Sequence, residues 1–296
     1  MAMVAALVVG CAADAPGSDG ALRVVATTTQ VGSVAREIGG EAIELTVLLK
    51  PGIEAHDFEL TPAAGAALEQ ADVILVSGLG LEDWLDETLA TIGGADRVRD
   101  LSQGVQLRTV GDNDDAGEAD PHYWLSAPNA IVMARNARDA LADAAPEHAD
   151  GFGDRAAGLI ARLEQVDAEM RAMIDKVPVD ARRIVTDHDA LGYFIDEYGL
   201  VFVGSIFPSL DVSSEPSAQE IETLVAEIRD QDVRAIFTES SVNPRMAAAV
   251  AEETEARLVD EPIYTDSLGP DGSGAETLDG MLLHNARVIR DGLLGS

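Results

Sequence analysis

From residue 22 onward, short apolar runs alternate with amphipathic stretches. Leu22 to Ala26, Ile43 to Leu49 and Val73 to Ser77 read as strands, and Gly32 to Ile38 and Pro62 to Glu69 as helices. Strands that alternate with helices predict an α/β fold built on parallel sheets. The pattern also repeats. Arg23-Val24-Val25, Val31-Gly32, Glu37 and Gly39 align with Arg183-Ile184-Val185, Leu191-Gly192, Glu197 and Gly199 at one shared offset of 160 residues. Arg97-Val98 and Asp100 align with Arg257-Leu258 and Asp260 at the same offset, and Val73 to Val76 aligns with Arg234 to Phe237 displaced by about one position. Matches in the same order and at one spacing predict two similar lobes.

Between the repeats, Phe152, Ala156, Leu159, Ile160, Leu163, Val166, Met170, Met173 and Ile174 recur at helical spacing. Pro146 to Val177 therefore reads as a helix of about 25 residues, about 37 Å long. The expected organisation is a tether through residue 21, an N-terminal lobe over 22–145, a linking helix over 146–177 and a C-terminal lobe over 178–296. Leu278 to Leu293 reads as a C-terminal helix. Two lobes joined by one long helix should tilt slightly rather than hinge widely.

Composition sharpens this picture. Apolar residues make up 47% of the chain and aromatics 4%, so the core must rest on Ala, Val, Leu and Ile. Against 53 acidic residues stand 20 basic ones, of which Lys50 and Lys176 are the lysines, and the net charge is −33. Such a surface repels nucleic-acid phosphates and anionic headgroups, which excludes a direct grip on either. The acids are spread along the whole chain, which fits a protein exposed to high salt.

Cys11 is the single cysteine, so neither a disulfide framework nor a thiolate metal cluster is available. It follows an apolar segment ending Val8-Val9-Gly10, too short to span a bilayer. This resembles a bacterial lipobox, with the sulfur as the acylation site, although no Lys or Arg precedes it. Residues 12–20 read as a flexible tether. A lipid on Cys11 is the expected membrane contact, and nothing in the sequence demands more than a monomer.

Candidate chemistry rests on histidine. His56 follows a strand and a turn, His122 lies in Asp120-Pro121-His122-Tyr123-Trp124, and His188 lies where the first strand of the second lobe gives way to its helix. In α/β sheets, ligands bind outside the carboxyl ends of strands, and neutral imidazole is the commonest nitrogen ligand for zinc and its neighbours. Asp57, Asp120, and Asp187 or Asp189 stand beside these histidines as candidates to orient them. His148 and His284 read as surface or packing residues, and Gly111 to Ala119 as a solvated acidic loop.

Four segments together resemble the zinc- and manganese-specific solute-binding proteins of ABC importers, the cluster A-I group. They are Pro51-Gly52 with His56, Asp120-Pro121-His122-Tyr123-Trp124, His188 with Gly192-Tyr193-Phe194, and Thr265-Asp266-Ser267-Leu268-Gly269; Phe237-Thr238-Glu239-Ser240-Ser241 also matches. The resemblance implies an extracytoplasmic receptor that captures a divalent metal and delivers it to an ABC permease. It also implies His56, His122, His188 and Asp266 as ligands, two from each lobe. Three nitrogens and one oxygen suit zinc, with manganese as the alternative. Displacement of protons from the histidines should lower affinity below about pH 6. A surface adhesin that kept the fold is a second reading. A hydrolytic metalloenzyme using Asp266 or Glu239 as its base is a third, and the chain lacks a His-Glu-x-x-His helix or Gly-x-Ser-x-Gly elbow to support it.

Overall fold

The computed structural model describes residues 20–295, apart from Glu54, Asp57, residues 110–116 and residues 211–214, and says nothing of the side chains of Asp86 and Glu87. The lipobox and most of the tether therefore lie outside the described residues, as does Asp57.

Two four-stranded parallel sheets form the frame. The first takes β1 (Leu22–Ala26), β2 (Ile43–Val47), β3 (Val73–Val76) and β4 (Val98–Asp100) in the order β2-β1-β3-β4. The second takes β5 (Arg183–Thr186), β6 (Val201–Ser205), β7 (Ala235–Glu239) and β8 (Arg257–Ile263) in the order β6-β5-β7-β8. The two orders are identical, and β1 and β4 match β5 and β8 along the repeat, so the internal alignment reports a duplicated lobe. In each lobe the first strand is the point where successive crossovers leave in opposite directions, which opens a crevice at its carboxyl end. Thr28 occupies that position in one lobe and His188 in the other.

The elements form for local reasons. β3 is buried along its whole length as Val-Ile-Leu-Val, as a parallel strand covered on both faces must be. Helix α1 (Thr29–Gly39) starts where the Thr28 hydroxyl accepts from the Val31 N–H. α2 (Pro62–Gln70) begins on a proline with Thr61 as its cap, and α3 (Asp83–Ile92) follows β3. The Ser126 hydroxyl caps α4 (Ala127–Ala144).

Helix α5 (Ala149–Ile174) has 26 residues, about 39 Å, and is preceded by a separate 3₁₀ turn at Pro146–His148. The turn arises because Pro146 cannot continue α4, and it leaves His148 exposed ahead of the helix. α5 buries Phe152, Ala156, Leu159, Leu163, Val166, Met170 and Ile174 against α1 and α4 of one lobe and α9 (Leu278–Leu294) of the other. Burying Phe, Leu and Met side chains contributes roughly 1.5–3 kcal/mol each, so this helix is welded to both lobes. Arg162 strengthens the joint, since it pairs with Glu37 on α1 and with Asp279 on α9. The remaining helices, α6 (Gly192–Tyr198), α7 (Ala218–Asp230) and α8 (Arg245–Thr254), flank the second sheet. Among the described residues, no helix is long and apolar enough to cross a membrane.

Candidate metal centre

The four predicted side chains come together between the lobes, with His56, His188 and Asp266 on the loops that leave β2, β5 and β8. His56 lies on the loop after β2, half-buried, and the Trp84 indole N–H donates to the carbonyl of Ala55 beside it at 3.3 Å. His122 leads into the turn Tyr123–Leu125, which is pinned where the Tyr123 hydroxyl donates to the carbonyl of Ser77 at 2.9 Å. His188 follows β5. Asp266 follows β8 on a loop docked against the first lobe. His122, His188 and Asp266 are fully buried.

Their donor atoms gather in two trios that share Asp266, His56 with His122 and Asp266, and His188 with Glu239 and Asp266, each with its atoms within 4.8 Å of one another. Nε2 of His56 and Nε2 of His122 are 3.4 Å apart. Asp266 Oδ1 is 3.2 Å from His122 Nε2, and its Oδ2 is 3.5 Å from His188 Nε2. Asp266 Oδ1 and His188 Nε2 find no hydrogen-bond partner among the described residues. Buried polar atoms are seldom left in that state. Buried donor atoms left close together without a partner are what a bound cation would satisfy.

The outer partners fix how the rings stand. Asp120 Oδ1 lies 2.8 Å from His122 Nδ1 and also accepts the His122 backbone N–H at 2.9 Å. A proton held on Nδ1 leaves the Nε2 lone pair for a cation. The other oxygen of Asp120 accepts from Arg108 at 2.9 Å. For His188, the orienting carboxylate is neither Asp187 nor Asp189, the sequence neighbours. It is Glu239, on the adjacent strand, whose Oε2 lies 2.8 Å from His188 Nδ1 as an ion pair. Glu239 Oε1 also accepts the His188 backbone N–H at 3.1 Å, and Asp187 accepts the Glu239 N–H at 2.7 Å. The neighbours are engaged elsewhere, Asp187 with the Glu239 N–H and Asp189 facing Arg108, so the group that reaches His188 comes from β7. The match at Phe237-Thr238-Glu239 was the available signal.

Electrostatics favour a cation. Burial opposes charge on His122, but Asp120 and Asp266 outweigh it and raise its pKa to about 9. Burial likewise opposes charge on His188, and Glu239 and Asp266 lift it well above the ordinary range. Asp266, despite burial, is held well below the usual carboxylate range by His188 and His122. Burial raises Asp187 to about 7, with the Glu239 charge adding to it, and raises Asp189 to about 6. The proton-competition window therefore lies higher than the pH 6 expected of free imidazole, because the surrounding carboxylates reward protonation of the histidines.

The two histidines expected to lie outside the site do so. His284 is buried in α9 and its Nε2 hydrogen-bonds the carbonyl of Pro262 at 2.9 Å, while His148 is exposed with its ring 6.0 Å from that of Phe152.

Comparison with known proteins identifies the family of the chain. The family model described as ZnuA, zinc-uptake complex component A periplasmic, matches residues 24–292. The manganese-binding lipoprotein MntA of Bacillus subtilis (strain 168) is 30% identical over 290 residues, which span 96% of this chain and 94% of that protein. The manganese ABC transporter substrate-binding lipoprotein PsaA of Streptococcus pneumoniae is 27% identical over 307 residues, 99% of this chain and 97% of that protein. The periplasmic zinc binding protein TroA from Treponema pallidum superposes with a TM-score of 0.85 at 27% identity, covering 93% of this chain and 99% of that one. The chain belongs to this family, the cluster A-I solute-binding proteins, which are metal-binding receptors of ABC transporters and not enzymes.

Proposed function

We propose that this receptor captures zinc with Nε2 of His56, His122 and His188 and the carboxylate of Asp266, and delivers it to a cognate ABC permease. The observation that carries this reading is the spacing of the donor atoms. In a tetrahedral site with bonds of 2.0–2.1 Å, neighbouring ligand atoms stand about 3.3 Å apart. Three of the six separations such a site would have compare with that value, 3.2 Å from His122 to Asp266 Oδ1, 3.4 Å from His56 to His122, and 3.5 Å from His188 to the other oxygen of Asp266. Three imidazoles and one carboxylate are a zinc-like donor set. The receptor works as a monomer on the outer side of the membrane, held there by a lipid on Cys11, and its lobes comprise residues 22–145 and 178–296.

One observation favours manganese as the second reading. Asp266 turns its two oxygens toward two different imidazoles, so both oxygens can reach one ion and raise its coordination number, which suits manganese better. MntA and PsaA, among its relatives, are named for that metal. Elemental analysis, followed by competitive titration of the chelator-stripped protein with zinc and manganese, tests both. One equivalent of zinc with strong preference over manganese supports the first reading. Tightly held stoichiometric manganese that zinc does not replace supports the second. No uptake of either refutes both.

A further inference from the structure

The lobes meet along two seams beside the site. One is the loop from Thr265 to Leu278. Its Thr265 carbonyl accepts from Gln30 at 3.0 Å, its Leu268 N–H donates to the Thr29 hydroxyl at 2.8 Å, and its Ser267 hydroxyl accepts from the Gly52 N–H at 2.8 Å. The other seam is built around one side chain, Arg108, on the N-terminal-lobe segment between β4 and His122.

The Arg108 guanidinium reaches three carboxylates. It donates to Asp120 Oδ2 at 2.9 Å in its own lobe, and stands 3.7 Å from Asp189 Oδ1 and 3.4 Å from Asp196 Oδ2 in the other. Asp120 holds the ring of His122, and Asp189 is the residue after His188. The backbone is tied at the same place, since the Tyr193 hydroxyl accepts the Arg108 N–H at 3.0 Å and donates to the Asp120 carbonyl at 2.9 Å. Gly192 opens α6 directly beneath the guanidinium. A Cβ there would lie 2.1 Å from Arg108 Cζ, and the three nearest atoms it would meet all belong to Arg108. Glycine is what lets the guanidinium lie against the first turn of α6, which gives Gly192-Tyr193 a task in the lobe interface.

We propose that Arg108 is an interlobe latch, a positioning residue that sets how long the ion stays bound. The inference rests on the four-ligand reading of the site. An ion held by side chains of both lobes leaves when the lobes part. Parting breaks either the pairs from Arg108 to Asp189 and Asp196 or the pair from Arg108 to Asp120. The second break frees the carboxylate that aims His122, so opening the latch also loosens a ligand. The Arg108 side chain is 19% exposed and Asp120 and Asp189 are buried, so those two pairs are only partly screened by water, whereas Asp196 is 69% exposed and its pair is the weakest. Lysine would not replace it, because a single ammonium has no planar fork to serve three carboxylates at once.

Stopped-flow transfer of zinc from the loaded protein to excess chelator tests the latch. Arg108→Gln is expected to release zinc roughly tenfold faster, and Arg108→Lys to fall between it and the parent. Gly192→Ala should also speed release, but add nothing in an Arg108→Gln background, because the methyl group then has no guanidinium to displace. Asp196→Asn, at an exposed position outside the site, should speed release about threefold and carries the test should Arg108→Gln not fold. Release from Arg108→Gln and Asp196→Asn at the parent rate, or full additivity of Gly192→Ala with Arg108→Gln, overturns the latch. A parent protein that takes up no zinc overturns the site reading itself.

Discussion

The indole N–H of Trp124 donates to the carbonyl oxygen of Thr265 at 2.9 Å, and the next residue is Asp266. An N-terminal-lobe side chain therefore fixes a C-terminal-lobe candidate ligand, two residues after the His122 ring that the ligand faces. Trp124→Phe keeps the buried ring and removes the donor, leaving Gln30 as the remaining partner of that carbonyl. Loss of one hydrogen bond to a buried acceptor costs about 1–2 kcal/mol. The variant should keep its far-UV circular dichroism and bind zinc roughly tenfold more weakly in a chelator competition. Unchanged affinity would mean that Asp266 is placed by its own loop alone.

Asp120 and Glu239 hold His122 and His188 by their Nδ1 atoms. Partners of this kind are typically worth about 10–100-fold in metal affinity. Asp120→Asn and Glu239→Gln are each expected to fall in that range while zinc stoichiometry stays at one. Isothermal titration against a competing chelator measures both. Glu239→Gln should be the milder change if the backbone N–H of His188 still finds the amide oxygen. A loss no larger than that of an exposed substitution such as Glu147→Gln would remove either residue from the site.

Protonation sets the pH profile, and the metal-free and loaded proteins should respond in opposite directions. His122 in the folded metal-free protein has its pKa raised to about 9, above the 6.5 of an unfolded histidine, and His188 is raised as well. Their contribution to folding is fully present below about pH 6.5 and is lost as the pH rises through about 9. The metal-free protein should therefore melt at a lower temperature at pH 9 than at pH 6.5. Zinc must displace these protons, so its apparent affinity should climb through the same window, about tenfold per pH unit for each proton released. Calorimetric titrations in buffers of different ionisation enthalpy count those protons. Zero released at pH 7 would contradict the raised values.

The duplicated lobes and the three histidines were legible in the chain because both rest on local signals, whereas Asp266 entered only through the family resemblance. Arg23-Val24-Val25 and Arg183-Ile184-Val185 start equivalent strands, and strand ends are where loops carry ligands. Groups that act across the fold were not legible. Glu239 reaches His188 over 51 residues, and Arg108 joins lobes whose contact no periodicity encodes. Asp187 and Asp189 looked like partners of His188 because they adjoin it, yet in the bend after β5 one turns to the Glu239 N–H and the other to Arg108. Sequence proximity identifies second-layer groups when a turn brings them back, as it does for Asp120 and His122, and fails when the partner belongs to the next strand.

The charge of −33 should make salt act on stability and on ion capture with opposite signs. With 53 acidic residues against 20 basic ones, most carboxylates have no cation to pair with, and compaction forces them together. Raising ionic strength from 0.1 to 1 M shortens the screening length from about 10 to about 3 Å. The urea midpoint of the metal-free protein should rise over that range, equally in NaCl and KCl, since screening depends on ionic strength and not on the cation. The same negative field draws divalent cations toward the site, so the association rate for zinc should fall as salt increases. A midpoint that ignores salt would show that the acids are spaced too widely to repel. A midpoint that responds to KCl and not to NaCl would point instead to specific potassium sites among the surface carboxylates.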